Sequence, residues 1–129
     1  MTGGPGRGNA MQSVDDLLRR NLNAFSERDA EKRSTAISAI LESDGVFVDP
    51  DGLHVGHKAI DNAIEHLLLK FPEFVFSELS GPDSHNGIGR LAWGFGPAGK
   101  NPAVTGLDVI VSKAGKIEAL YTFLDSAER

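Results

Sequence analysis

The hydrophobic period turns from mainly helical to strand-like at Pro72, and the change constrains the fold class. Before it, apolar residues recur at helical spacing. Val14, Leu17, Leu18, Leu22 and Phe25 form one stripe, with Ser13 as N-cap and Asp15 and Asp16 in the first turn. Asp29 caps a second helix whose apolar face is Ala36, Ile37, Ile40 and Leu41, expected to end near Asp44-Gly45. A third helix is predicted over 57–70, with Ile60, Ala63, Ile64, Leu67, Leu68 and Phe71 on its stripe and Pro72 as its stop. After Pro72 the pattern reads as strands over 74–79, 88–95, 103–112 and 117–124, separated by turns at 81–87 and 113–116 and a Gly/Pro-rich loop at 96–102. Two short strands, 45–49 and 53–55, flank Pro50-Asp51-Gly52 ahead of the third helix. The order is ααβ(β)αββββ. Short turns between strands make the sheet antiparallel, and segregated helices make the class α+β.

At 129 residues the chain is expected to be one domain over 13–129, preceded by a Gly-rich tail, 1–12, read as disordered. No cysteine is present, which excludes disulfides, thiolate catalysis, Cys-bound zinc and iron–sulfur clusters. A net charge of −5 without any basic run argues against a nucleic-acid partner. No apolar stretch approaches the ~20 residues of a membrane span and the first residues lack a signal-peptide core, so a cytoplasmic protein is expected. His54 and His57 have H-x-x-H spacing but no third ligand in view, so no metal is expected. The nucleophile-elbow, P-loop and dinucleotide fingerprints are missing, and no cofactor is expected.

The strands alternate only weakly. Leu107, Val109 and Val111 share one face, with Asp108 and Ile110 on the other; Leu120, Thr122 and Leu124 oppose Tyr121 and Phe123. Such strands belong to a sheet covered on both faces. Three helices cover one; the outer face is expected to be a homodimer interface.

Four polar or amphipathic residues stand in apolar runs. Asp108, inside Gly106-Leu107-Asp108-Val109-Ile110-Val111, costs several kcal/mol unless it is paired, turned outward at an edge, or placed at a cavity. Asp49 before Pro50 reads either as a turn cap or as a pocket carboxylate. Arg90 is either a stem packed along the sheet or a fixed cation for an oxyanion. Trp93 is either core or a pocket wall with an N–H donor. Strict alternation puts Arg90 and Trp93 on opposite faces, so a shared pocket requires a bulge.

Phe47-Val48-Asp49-Pro50 followed by Gly56-His57-Lys58-Ala59-Ile60, then Arg90-Leu91-Ala92-Trp93, Gly106-Leu107-Asp108, and Gly115-Lys116-Ile117 through Phe123-Leu124-Asp125, are together similar to the SnoaL-like branch of the nuclear transport factor 2-like superfamily. The resemblance covers about residues 13–125. It implies a cone, in which a curved antiparallel sheet wraps helices around an apolar pocket. It also implies the range of activities found in that superfamily: ketosteroid isomerase, dehydratase, epoxide hydrolase, polyketide cyclase, or none. By that resemblance Asp49 matches a general base and Asp108 an oxyanion-hole acid. Asn21 stands where steroid isomerases carry a helix-borne Tyr, a departure that speaks against authentic steroid isomerase activity. Asn21, Phe47, Trp93, Leu120 and Thr122 are then expected to line the pocket, with Arg90 as a catalytic cation. The expected function is acid–base chemistry of isomerase, cyclase or hydrolase type on a small hydrophobic carbonyl compound. Asp49 would act as base and Asp108 as a neutral donor, unless Arg90 pairs with Asp108. The alternative is a non-catalytic ligand-binding or dimerisation module of the same fold.

Overall fold

Ser13 opens the first helix as the sequence requires: its Oγ accepts the Asp16 N–H at 3.1 Å. The computed structural model describes residues 12–125. Of the expected N-terminal tail, 1–11 lies outside the described residues, while Gln12 belongs to the fold: its amide nitrogen donates to Ala39 O at 3.1 Å and Gly115 O at 3.4 Å. The elements run α1 (Val14–Ser26), α2 (Ala30–Ile40), β1 (Leu41–Asp49), β2 (Gly52–Val55), α3 (His57–Lys70), β3 (Phe74–His85), β4 (Ile88–Pro97), β5 (Val104–Lys113) and β6 (Lys116–Leu124). The ααβ(β)αββββ order is the one the hydrophobic periods dictate. No helix among the described residues is long and apolar enough to cross a membrane.

Two boundaries differ from expectation. The second helix stops at Ile40, not Asp44, because Leu41 is extended (φ −110°, ψ 143°) and its buried side chain pairs the strand with Ile117. The bond that ties Gly45 O to Gly56 N–H, at 2.8 Å, further commits this stretch to the sheet. The expected turn at 81–87 shrinks to Asn86-Gly87, because 81–85 continue β3 after two register shifts. Pro82 lacks a donor and is tolerated there because β3 is an edge strand.

The six strands form one curved sheet in the order β2-β1-β6-β5-β4-β3. All neighbours are antiparallel except β1 and β6, which run parallel. The inner face carries Phe47, Leu120, Ile110, Leu91, Trp93 and Phe95, and the core forms where they meet Leu17, Leu18, Leu22, Phe25, Ile37, Ile60, Ile64 and Leu68 from the helices. Arg33 of α2 is 2% exposed and clamps α3 through Asp61 (2.6 Å) and Glu65 (2.8 Å) while donating to Glu27 O (2.8 Å). The outer face presents Val46, Val48, Leu107, Val109, Tyr121 and Phe123, with Val48, Tyr121 and Val109 in one cross-strand row and Leu107 opposite Phe123, and none of the described helices lies over them.

Candidate functional site

Asp49 ends β1, and the β1–β2 turn explains its pose. Its Oδ1 accepts the N–H groups of Asp51 (3.0 Å) and Gly52 (3.1 Å), so the turn-cap role is real. The same side chain also faces inward, two residues from Phe47 on one face of the strand, and lines a cavity. The two roles anticipated as alternatives are combined: the turn fixes one oxygen and so orients the other.

Asp108 comes to this cavity from β5. It is 5% exposed, and three neutral donors surround it. Trp93 Nε1 (2.9 Å) and Thr122 Oγ1 (2.8 Å) both donate to Oδ1, and Asn21 Nδ2 lies 3.4 Å from Oδ2. Register explains the convergence: Asp108 is cross-strand from Thr122, and Trp93 is cross-strand from Gly106 two residues away on the same face. A Cβ at Gly106 would lie 2.3 Å from Trp93 Cζ2, so the indole lies over a position that only glycine leaves open. Burial pushes the Asp108 carboxyl up from 3.8 to about 6, against the opposing pull of the Thr122, Trp93 and Asn21 donors. Arg33 and Asp108 are the buried charged side chains among the described residues. Arg33 has two carboxylate partners; Asp108 has none of opposite charge among the described residues.

Between these carboxylates lies a chamber of about 240 Å³ walled by aromatic rings: Phe25, Phe47, Phe71, Phe76, Trp93 and Phe95. The rings brace one another, with Phe76 stacked on Phe95 at 4.2 Å and edge-on to Trp93 at 5.3 Å, and Phe25 edge-on to Phe47 at 5.2 Å. A second, more open chamber of about 700 Å³ shares Phe25, Phe47, Asp49, Asp51, Leu67 and Phe71 with the first, and adds His54, Asn62, His66 and Lys70. The arrangement is an apolar inner room with the Asp108 carboxyl at its wall and the Asp49 carboxyl at its boundary with a wider, more polar vestibule.

The expected site residues divide. Asp49, Asp108, Phe47, Trp93 and Thr122 line the inner chamber. Asn21, 1% exposed, touches Asp108 from α1 and supports it from behind. Leu120, fully buried and cross-strand from both Phe47 and Ile110, packs in the core and not on the chamber wall. Arg90 is displaced from its expected role. It is on the outer face, 67% exposed, with Nη2 3.4 Å from Asp83 Oδ2. The β4–β5 register runs without a bulge from Ile88 to Phe95, so alternation holds and Arg90 and Trp93 point to opposite sides. An Arg90–Asp108 pair, and with it an Asp–Arg–Asp set, is therefore absent from the structure. His54 and His57 also part: His57 Nε2 lies 2.9 Å from Leu41 O, whereas His54 stacks on Phe47 and faces Asp49.

Sequence reasoning missed most of the chamber wall. Phe25, Phe71, Phe76 and Phe95 read as core because an apolar pocket and an apolar core have the same periodic signature. It also missed that α3 has two inward stripes. Ile60, Ile64 and Leu68 fill the core, while Ala59, Asn62, Ala63, His66, Leu67 and Lys70 line the vestibule one position round the helix.

No protein-family model matches the chain, and no curated protein sequence matches it. Solved structures do. A protein of the SnoaL-like family from Agrobacterium tumefaciens, provisionally named an isomerase, superposes with a TM-score of 0.80 at 27% identity, over 86% of this chain and 96% of that one. The chain is SnoaL/NTF2-like in fold. An NTF2-like protein from an Exiguobacterium species matches with a TM-score of 0.69 at 18% identity, over 86% and 99% of the two chains. A provisionally named polyketide cyclase from Sinorhizobium meliloti matches at 0.68 and 20% identity, over 84% and 94%. These last two likenesses concern the SnoaL-like fold alone.

Proposed function

We propose that this SnoaL-like protein performs proton transfer on a small apolar carbonyl compound held in the inner chamber. Asp49 is the base, and Asp108 is the acid that hydrogen-bonds the ligand oxygen. One observation carries the reading: two carboxyl groups from β1 and β5 line one aromatic chamber, and neither has an ion pair with Lys or Arg among the described residues. Asp49 keeps an oxygen free of the turn, on the chamber lining, to accept a proton. Asp108 Oδ1 is occupied by Trp93 and Thr122, so a proton on the acid belongs on Oδ2, the oxygen with only the long Asn21 contact. A ligand that displaces water from the chamber raises this carboxyl further and favours the donor form. The provisional isomerase name of the Agrobacterium protein is consistent with such chemistry.

The test uses a probe that needs only a base. 5-Nitrobenzisoxazole loses the C3–H proton of its isoxazole ring, the electron pair forms the nitrile as the N–O bond breaks, and the cyanophenolate product is coloured. Wild-type protein is expected to accelerate this opening, and Asp49→Asn to lose about a hundredfold or more. Wild type no faster than an equal concentration of acetate overturns the reading. It would leave an apolar-ligand carrier, which the aromatic lining favours independently.

We also propose that a second copy of the chain covers the outer sheet face. Val46, Val48, Leu107, Val109, Tyr121 and Phe123 make an apolar surface across three strands of the curved sheet, which a copy of itself complements. Sedimentation at micromolar concentration is expected to show a dimer; a monomer overturns this.

A further inference from the structure

The polar vestibule contains a group that the acid–base reading leaves unused. His54 lies on β2, directly cross-strand from Phe47, and its ring stacks on that phenyl at 5.2 Å and 25°. Phe47 is itself held edge-on by Phe25, so the imidazole is fixed in plane. Its Nε2 is 3.5 Å from Asp49 Oδ1 and, though buried, has no hydrogen-bond partner. A buried ring nitrogen without a partner is costly, and such groups concentrate where function requires them. The ordering matters as much as the distance. Asp49 lines both chambers, Asp108 only the inner one, and His54 only the vestibule. Asp51, His66 and Lys70 are the other charged or titratable groups around that vestibule.

We propose that His54 is the proton-relay partner of Asp49, exchanging with solvent in the vestibule the proton that Asp49 takes from a ligand in the inner chamber. The inference rests on Asp49 acting as a base. Asp49 removes a C–H proton beside a carbonyl, and the electron pair moves into the carbonyl to give an enolate. The proton is taken on the oxygen free of the turn; rotation of the Asp49 carboxyl about Cβ–Cγ brings that oxygen to the place of Oδ1, facing Nε2, whose lone pair accepts the proton, and His54 releases it to vestibule water. A proton from water returns by the same route to the carbon, and the enolate reverts to the ketone. A 3.5 Å approach is longer than a hydrogen bond, and contacts of this kind tighten when a ligand seats. The relay sets the class of reaction: a proton taken from carbon exchanges with solvent before it is returned, in contrast to a direct transfer within one ligand.

Two probes separate this relay from the base itself. Opening of 5-nitrobenzisoxazole needs a base and nothing more. Exchange of the α-hydrogens of 2-indanone in D2O, followed by NMR and corrected for buffer exchange, needs a base and a swap of its proton. Wild type is expected to catalyse both, and Asp49→Asn neither. His54→Gln is expected to keep ring opening within about threefold while exchange falls about tenfold or more. His54→Phe, which retains the stack on Phe47, is expected to behave as His54→Gln, and it supplies the comparison should the glutamine variant lose its thermal transition. Equal rates of exchange in wild type and both folded His54 variants overturn the relay alone. So does a parallel loss of both activities, or a wild type that opens the ring without exchanging 2-indanone. A wild type inert toward 5-nitrobenzisoxazole overturns the base reading first, and the relay with it.

Discussion

Trp93 Nε1 donates to Asp108 Oδ1 at 2.9 Å across neighbouring strands, and the bond exists because the residue opposite Trp93 is Gly106. Asp108 is thereby held by an indole, a hydroxyl and an amide, none of which carries charge. It is a carboxyl kept soluble in an apolar core by hydrogen bonds alone.

That arrangement makes stability depend on pH in a defined direction. The folded pKa of Asp108, about 6, lies above its unfolded value near 3.8. Between these values the native state binds a proton the unfolded chain lacks, so stability falls as pH rises from about 4 to about 6. The full difference is about 3 kcal/mol at neutral pH, at about 1.4 kcal/mol per pKa unit. Asp108→Asn removes this dependence. Its carbonyl still accepts from Trp93 and Thr122, and its NH2 can donate to Asn21 Oδ1, which is buried without a partner, once the Asn21 amide turns. Denaturant melts at pH 5 and 7 should show wild type losing stability toward pH 7 relative to Asp108→Asn. Parallel curves would contradict the assignment.

Gly106→Ala places a methyl 2.3 Å from Trp93 Cζ2 and 2.6 Å from Phe123 O. The indole must swing away and release Asp108, at a cost of about 1–3 kcal/mol from overpacking plus the lost bond. Because Trp93 is the only tryptophan, its emission reports the movement directly. A lower midpoint of unfolding and a changed emission maximum are expected together.

Arg90→Ala is expected to do almost nothing. The side chain is two-thirds exposed and its partner Asp83 equally so, a class of pair whose contribution is within about 1 kcal/mol. Ring opening of 5-nitrobenzisoxazole should stay within about twofold of wild type. A hundredfold loss would mean that the cation reaches the chamber after all.

Tyr121→Lys puts a charge at the middle of the outer face, between Val48 and Val109. If a second copy covers that face, the variant is expected to sediment as a monomer and keep its helical and sheet circular dichroism. An unchanged dimer would move the interface elsewhere.

Much of this structure is legible without coordinates, and the unevenness has physical causes. α3 matches its predicted span because a clean stripe, a glycine before it and a proline after it all agree. Leu41 was misplaced because a buried leucine fits a helix stripe and a strand equally, and what decides is its pairing with Ile117, 76 positions away. Asp108 stood out because a carboxylate in an apolar strand has few tolerable positions. Arg90 misled for the opposite reason: an arginine on an outer face looks the same in sequence whether or not a ligand needs it, and only the unbroken β4–β5 register removes it from the chamber. The aromatic wall was invisible as such, since nothing in a periodic pattern tells a filled core from a hollow one.

The two stripes of α3 have a consequence for how such a protein changes over generations. Ile60, Ile64 and Leu68 hold the helix to the core, while Asn62, His66 and Lys70 look only into the vestibule and are exposed. Substitutions at the second set leave the first untouched, so the lining of the vestibule can change with little loss of stability. One helix thus keeps the fold's inheritance on one edge and leaves room for its invention on the other.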